Sequence, residues 1–274
     1  MPNIKAGSAG FLILRGLMDV KDKAIKMARE AGVLLKENLG GTRTIEFKGS
    51  VDIVTEMDRN AEELIVSSIR RDFPDHGILT EESAEVVSDS PFRWIIDPLD
   101  GTTNYAHGFP IFCVSIAFEE KGDVTFGVVY DPTRDELFTA EKGKGAFLNE
   151  RRIKVSSVPR LDKSLLATGF PYDVRTSSEN NIDNFSRFAI KAQAIRRAGS
   201  AALDLSYVAC GRFDGFWEMK LKPWDVAAAS LMVREAGGTI SGFKNQPFTV
   251  YSGNVLATNG LIQDEMLDVL NHKQ

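Results

Sequence analysis

Two aspartates, Asp97 and Asp100, stand on either side of Pro98 at the end of an apolar run. The run predicts a strand, and the proline predicts a turn that brings the second carboxylate near the first. Residues 101–103 are Gly-Thr-Thr, which supply hydroxyls and flexible backbone where a helix is predicted to start. Carboxylates bind hard cations, and N–H groups at a helix N-terminus bind phosphate. The pattern therefore favours metal-assisted phosphate hydrolysis over two ordinary capping aspartates.

Further acidic residues extend this set. Glu81 and Glu82 directly follow the apolar run Gly77–Thr80, although two adjacent acids on their own are typical of a solvated surface. Asp225 lies at the start of an apolar helix, where a carboxylate either caps the helix or binds a ligand. With the two aspartates above, Glu81 and Asp225 form a set of oxygen ligands without an accompanying His or Cys cluster. Such a set indicates Mg²⁺ or Mn²⁺ rather than zinc.

Several other classes of protein find no support in the sequence. The chain has three histidines and no G-x-S-x-G motif, so a Ser-His-Asp hydrolase is not predicted. It has neither a G-x-x-x-x-G-K-[ST] loop nor a G-x-G-x-x-G fingerprint. The formal net charge of −5 and the pI near 5.4 argue against direct nucleic-acid binding.

The N-terminal residues 1–18 contain one apolar run, Phe11–Leu14, which is too short for a membrane span or a signal-peptide core. We expect these residues to be a loose leader or to follow a start codon assigned too early, and we expect no membrane contact. Cys113 and Cys210 lie in apolar stretches and show no metal or redox spacing. They indicate buried thiols and a reducing, cytoplasmic location.

Helices and strands must position the acidic residues. Hydrophobic spacing predicts helices at 19–39 and 58–73, the second with Asp58 as its N-cap. Residues 112–155 alternate short β-type runs with Gly, Asn and Pro, which predicts an antiparallel meander.

The second half of the chain alternates between strand and helix. The predicted strands are 165–168, 216–219, 239–241 and 255–258, and the predicted helices are 178–191, 201–209, 224–236 and one from 261. No linker interrupts the chain, so we predict one compact α+β unit with a largely antiparallel N-terminal sheet and a smaller mixed C-terminal sheet. Its two halves are 19–155, with the main metal site, and 156–274, which completes that site.

The chain resembles the inositol monophosphatase family, the lithium-sensitive, metal-dependent phosphatases. The resemblance covers roughly Asp19 to the C-terminus. It rests on five segments in the family's order, which are Val51–Asp58, Glu81–Ser83, Trp94–Asn104, Gly199–Ala202 and Trp224–Gly238.

The resemblance implies a layered αβαβα sandwich, a homodimer, and two to three Mg²⁺ ions, with Mn²⁺ as a substitute. It implies direct attack by a metal-activated water, with Thr102, paired with Asp58, and Glu81 in catalytic roles. The backbone N–H groups of Gly101 and Thr102 would bind the phosphate. Lys48 matches an accessory lysine near the metals. The implied metal ligands are Glu81, Asp97, the Leu99 carbonyl, Asp100 and Asp225.

The resemblance also implies a small phosphorylated polyol or sugar as substrate, with myo-inositol 1-phosphate as the first candidate. The implied substrate contacts are Glu218, Gly199, Ser200 and Ala201, together with Asp100, Gly101, Thr102 and Asp225. The adjacent Arg196 and Arg197 keep fructose 1,6-bisphosphate as an alternative, alone or in a dual-specificity enzyme. Histidinol phosphate and adenosine 3′,5′-bisphosphate also stay open. A regulatory partner protein with weak phosphatase activity is the alternative from a different class.

Overall fold

The computed structural model describes residues 8–40, 45–47 and 53–271, and the side chains of residues 20–40 and 56–271. Its first helix, α1, is Ser8–Glu37, so it begins well before the predicted start at Asp19. Residues 8–18 of the predicted leader are therefore helical. They contain no proline, and an established helix extends at low cost. Lys48 and residues 1–7 lie outside the described residues, so the predictions made for them have no structural outcome.

A short hairpin and a second helix lead into the main sheet. The hairpin pairs β1 (Ile45–Phe47) with β2 (Ile53–Thr55), and α2 is Glu56–Asp72. The first sheet has seven strands that follow one another in chain order. They are β3 (Gly77–Thr80), β4 (Phe92–Asp100), β5 (Cys113–Glu120), β6 (Asp123–Asp131), β7 (Glu136–Glu141), β8 (Gly145–Leu148) and β9 (Arg151–Arg152). Only the pair β3–β4 is parallel, which confirms the largely antiparallel sheet.

The second sheet has five strands, β10 (Leu165–Thr168), β11 (Ala194–Arg196), β12 (Gly215–Glu218), β13 (Thr239–Ser241) and β14 (Val255–Thr258). Their spatial order is β11-β10-β12-β14-β13, with two parallel and two antiparallel pairs. The predicted mixed sheet is confirmed. The remaining helices are α3 (Thr102–Ala106), α4 (Ile182–Ala189), α5 (Ala201–Ala209), α6 (Pro223–Glu235) and α7 (Gln263–Asn271).

Three buried apolar clusters show how these elements are layered. The first joins α1 and α2 to one face of the seven-stranded sheet. The second joins α5 and α6 to the facing sides of both sheets, and the third joins α4 and α7 to the outer side of the five-stranded sheet. Neighbours on one strand alternate between clusters, as Phe216 and Trp217 do on β12. The five layers are helix, sheet, helix, sheet, helix, which confirms the αβαβα sandwich.

The strand β4 does not end at Asp97 as predicted. Asp97 is opposite Ser115 and Asp100 is opposite Cys113, so β4 carries one residue more than its partner between these pairs. The predicted turn at Pro98 is therefore a β-bulge. Proline has no N–H to contribute to the ladder, so a bulge accommodates it, and the bulge changes the direction of the side chains around it.

Several other boundaries differ from the predictions, and the difference at α4 has its cause in tertiary contacts. The helix predicted at 178–191 is only Ile182–Ala189, since Asn181 is buried just before it. The Asn181 side chain donates to the Gly169 carbonyl and accepts from Trp217 Nε1. The three-residue strands β1, β2 and β11 are too short to show a period in the sequence. Within the described part of the chain, no helix combines the length and apolarity needed to cross a membrane.

Candidate active site

One pocket of about 440 Å³ contains most of the predicted site residues. It opens at the end of β4, the end of β12, and the starts of α3, α5 and α6. Among its lining residues are eleven that the sequence predicted, namely Glu81, Asp97, Leu99, Asp100, Gly101, Thr102, Gly199, Ser200, Ala201, Glu218 and Asp225. Both halves of the chain therefore contribute to one site.

The carboxylates of this pocket interact through their charges. Burial raises the pKa of Asp97 well above its usual range, and repulsion from Glu81, Asp100 and Asp225 raises it further. Burial likewise raises the pKa of Asp225 to about 8, with added repulsion from Asp100 and Glu218. Glu218 and Asp225 are far in the sequence from Glu81, Asp97 and Asp100, and the fold brings their negative charges together.

Asp100 connects the seven-stranded sheet to α5. Its Oδ2 accepts hydrogen bonds from Ser200 Oγ and from the Ala202 backbone N–H, both at 2.7 Å. Ser200 is also the N-cap of α5, because its side chain accepts from the Leu203 N–H. Burial raises the pKa of Asp100 even though these hydrogen bonds favour its ionised form. Asp100 is thus held in one orientation.

Thr102 and Asp58 form the predicted pair. The Thr102 Oγ1 lies 2.8 Å from Asp58 Oδ1, to which it donates, and 3.0 Å from the Leu99 carbonyl oxygen. Asp58 is 1% exposed and lies behind the pocket lining. It is not the N-cap of α2, because the helix already begins at Glu56 and Asp58 stands in its first turn. Its carboxylate holds Thr102 in place.

Asp225 serves its helix and the pocket together. The helix α6 begins at Pro223, so Asp225 lies in its first turn, and its Oδ2 accepts from the Lys222 backbone N–H at 2.6 Å. The capping role and the pocket-lining role, posed as alternatives from sequence, coexist here. The cap fixes the side chain at the pocket wall.

The turn into α3 requires glycine at position 101. Gly101 has a φ of 99°, and a Cβ there would lie 2.9 Å from the Ile111 carbonyl oxygen. Next to it, the Asn104 side chain donates to the carbonyls of Ile111 and Ala198, both at 2.8 Å. These contacts hold the backbone at Gly101 and Thr102 against the loop that carries Gly199.

The opposite side of the pocket contains Glu218 with two residues that the sequence did not assign to it. Burial raises the pKa of Glu218 to about 8, and burial also raises the pKa of Asp204 well above its usual range. Within the described residues, no group hydrogen-bonds Asp204 Oδ1. Gly169 makes room for Glu218, since a Cβ at 169 would lie 2.1 Å from Glu218 Oε1. An acid inside the apolar helix 201–209 was the one signal for Asp204 in the sequence.

Arg197 and Arg196 have different surroundings. Arg197 lines the pocket and opposes the pKa increases of Asp100, Asp204 and Glu218. Arg196 is exposed, and its guanidinium donates to the Ile195 carbonyl. One arginine therefore faces the three acids.

The donor set fits a hard divalent cation. The donors are oxygen atoms, which come from the carboxylates and from the Leu99 carbonyl in the pocket. In the described part of the chain, no group of three or more His, Cys, Asp or Glu side chains is already arranged to hold a metal ion. A cation would also relieve the repulsion that Asp97 experiences.

A buried pocket that gathers several carboxylates between two layered sheets is typical of a metal-assisted hydrolase of phosphate esters. A model of the inositol monophosphatase family matches residues 17–274. An inositol-1-monophosphatase of Synechocystis sp. is 49% identical over 242 residues, which are 88% of this chain and 84% of that protein. The Nus factor SuhB of Escherichia coli is 46% identical over 247 residues, 89% of this chain and 92% of that protein.

A solved structure gives the same result. The inositol monophosphatase of Anabaena (Nostoc) sp. is 44% identical, has a TM-score of 0.84, and matches 93% of this chain and 96% of its own. The chain belongs to the inositol monophosphatase family, and it is a phosphatase. The resemblance stated from the sequence is confirmed.

Proposed function

We propose that this phosphatase converts myo-inositol 1-phosphate and water to inositol and phosphate in a Mg²⁺-dependent reaction, with Mn²⁺ as a substitute. The observation that carries the proposal is the meeting of Asp97, Asp100, Asp225 and Glu81 in one pocket. These four carboxylates would hold the cations, with the Leu99 carbonyl as a further ligand.

The chain's own residues would position the water and the phosphate. Two to three divalent cations, when bound, supply an acidified water and neutralise charge on the phosphate oxygens. Thr102 Oγ1 donates to Asp58, which leaves its lone pairs to orient the attacking water. Glu81 would accept the proton that this water loses, and the inositol oxygen would take up a proton as its bond to phosphorus breaks, so inositol leaves as the alcohol. The N–H groups of Gly101 and Thr102 hold the phosphate. The attack is direct, so no side chain becomes phosphorylated.

The polar side of the pocket favours a polyol monophosphate. Glu218 accepts hydrogen bonds from hydroxyl groups, and the loop 199–201 borders the ring. Arg197 lies near Asp100, Asp204 and Glu218, so a second phosphate bound to Arg197, as in fructose 1,6-bisphosphate, would also lie near acids that repel it when they are ionised.

A phosphate-release screen tests the substrate and the metal together. We expect the highest kcat/KM with inositol 1-phosphate, lower values with fructose 1,6-bisphosphate, histidinol phosphate and adenosine 3′,5′-bisphosphate, and no release in EDTA. Higher turnover of another ester would contradict inositol 1-phosphate as the preferred substrate, and turnover in EDTA would contradict the dependence on a metal. A phosphorylated side chain trapped during turnover would contradict direct attack.

A regulatory role is the second candidate, because relatives 46% identical to this chain are named Nus factor SuhB. Such a role would persist in an inactive variant such as Asp225→Asn, whereas a purely enzymatic role would be lost. Pull-downs from a lysate of the native host, one with the wild type and one with Asp225→Asn, distinguish the regulatory role from the purely enzymatic role.

We further propose a lithium-sensitive homodimer that works in the cytoplasm without contacting membrane or nucleic acid. The cysteines support this location, since Cys113 and Cys210 are not joined in a disulfide. Light scattering and phosphate release in LiCl test the dimer and the inhibition.

A further inference from the structure

Glu62 is a buried carboxylate outside the predicted site. It lies on α2 and is 3% exposed. An ionised carboxylate in such a place is costly unless hydrogen bonds satisfy it. Three donors do so. Thr80 Oγ1 donates to Glu62 Oε2 at 2.6 Å, the Glu82 N–H donates to the same oxygen at 3.0 Å, and Ser83 Oγ donates to Oε1.

The three donors surround Glu81 in the sequence. Thr80 is the last residue of β3, and Glu82 and Ser83 follow Glu81 in the bend after that strand. Glu62 therefore holds residues on both sides of Glu81, through two hydroxyl groups and one backbone N–H, without lining the pocket itself. Glu81 lines the pocket and repels Asp97. The direction of the Glu81 side chain thus depends on a carboxylate in another element.

The same helix face also holds the second half of the site. Asp58 and Glu62 are four residues apart, so they lie on one side of α2. Asp58 binds Thr102 after β4, and Glu62 binds the bend after β3. The strands β3 and β4 are parallel neighbours, so both bends leave the sheet at one edge. One helix face consequently sets the distance between Glu81 and the Asp97–Thr102 segment.

We propose that Glu62 is a positioning residue that sets the affinity of the site for its divalent cation, by holding the bend 80–83 that presents Glu81. The inference rests on the proposed metal-dependent function. Groups that orient metal ligands typically contribute about 10- to 100-fold to metal affinity.

Calorimetric titration of the metal-stripped protein with Mn²⁺ tests this without measuring activity. We expect Glu62→Ala to weaken Mn²⁺ binding about 10-fold or more. Glu62→Gln keeps the shape and one acceptor, so it should restore much of the affinity. The matched control is Glu63→Ala, because Glu63 is the next residue on α2, carries the same charge and is exposed. Its affinity should equal that of the wild type.

The activity with p-nitrophenyl phosphate adds a second measurement. Saturating Mg²⁺ should return the kcat of Glu62→Ala to within about 3-fold of the wild type, with the defect confined to the metal concentration required. If Glu62→Ala does not fold, Ser83→Ala removes one donor from the same clamp and should weaken Mn²⁺ binding less, in the same direction.

Each other outcome overturns a defined part of the argument. Unchanged Mn²⁺ affinity in Glu62→Ala or Ser83→Ala, with a wild type that binds Mn²⁺, contradicts the positioning role alone. Equal weakening by Glu63→Ala contradicts it too, because the effect would then be general electrostatics. A wild type that binds no Mn²⁺ contradicts the metal-dependent function and the inference with it.

Discussion

Two acids of this pocket each accept hydrogen bonds from a nearby helix start and also lie close to other carboxylates. Asp100 accepts two hydrogen bonds from the start of α5, and Asp225 accepts one from the start of α6. These bonds orient the carboxylates before any ligand arrives. Burial raises the pKa of Asp97, and repulsion from the neighbouring acids raises it further. Orientation in advance matters because this repulsion would otherwise turn the acids apart.

Asp225→Asn separates the charge of this residue from its structural bond. The amide oxygen can still accept from the Lys222 N–H, so α6 should keep its cap. We expect kcat/KM for p-nitrophenyl phosphate to fall roughly 100-fold or more, because the proposed cation ligand is lost. The metal-free melting temperature should stay level or rise. Activity above one-tenth of the wild type would remove Asp225 from the metal site.

Asp204 presents the opposite case, since its Oδ1 has no hydrogen-bond partner in the described part of the chain. Asp204→Asn should increase the free energy of unfolding at pH 8 by about 1–2 kcal/mol, because the wild-type carboxyl must on folding either stay ionised while buried or take up a proton, and the amide does neither. The gain should vanish below about pH 4, where the wild-type carboxyl is protonated in the folded and unfolded states alike. Denaturant unfolding measures it, with Asp89→Asn as an exposed control. A loss of stability at pH 8 would show that the Asp204 carboxyl group makes a stabilising contact in the folded protein.

At the scale of elements, the bends after parallel strands and the starts of helices assemble the site. Short, well-patterned elements were predictable from the sequence, and Ala201–Ala209 is a helix with the predicted bounds. Features that depend on contacts with another element could not be predicted from the sequence. The bulge at Pro98 depends on the register with β5, and the clamp by Glu62 depends on the approach of α2 to β3.

The same distinction holds within the site. The acids next to Gly, Pro and Thr could be predicted because turn chemistry and ligand chemistry coincide in adjacent residues. Glu62, Asp204 and Gly169 could not, because each matters through a residue distant in the sequence. No local pattern encodes the 2.1 Å approach that a Cβ at Gly169 would make to Glu218.

Gly101→Ala tests the turn between β4 and α3. A left-handed φ costs a residue with a Cβ about 1–2 kcal/mol, and here the Cβ would also crowd the Ile111 carbonyl at 2.9 Å. The matched control is Gly122→Ala, since Gly122 has a φ of 86° and open space around it. We expect both variants to melt earlier and only Gly101→Ala to lose more than about 10-fold in kcat. Equal kcat values in the two variants would mean that the turn tolerates the Cβ added at position 101.

At the scale of the whole molecule, two layered sheets concentrate negative charge between them. The seven-stranded sheet brings Glu81, Asp97 and Asp100, and the second half of the chain brings Glu218 and Asp225. Neither half completes the pocket on its own. Folding therefore places like charges together at a cost in free energy, and a bound cation would reduce that cost. The folded protein should consequently become more stable when the cation binds.

Metal removal at two pH values measures this cost. The pKa values of Asp225 and Glu218 are raised to about 8, so the folded protein keeps protons that the unfolded chain releases near pH 4. Stability of the metal-free protein should therefore fall as pH rises from about 4 to about 8. If Mg²⁺ binds Asp225 as proposed, it displaces the proton of Asp225 and disfavours the neighbouring proton of Glu218, so the melting temperature gained on adding it in place of EDTA should be larger at pH 8 than at pH 6. In Asp225→Asn the difference between the two pH values should shrink, because one of the titrating acids is gone. An equal Mg²⁺ effect at both pH values would mean that the cation binds away from these carboxylates.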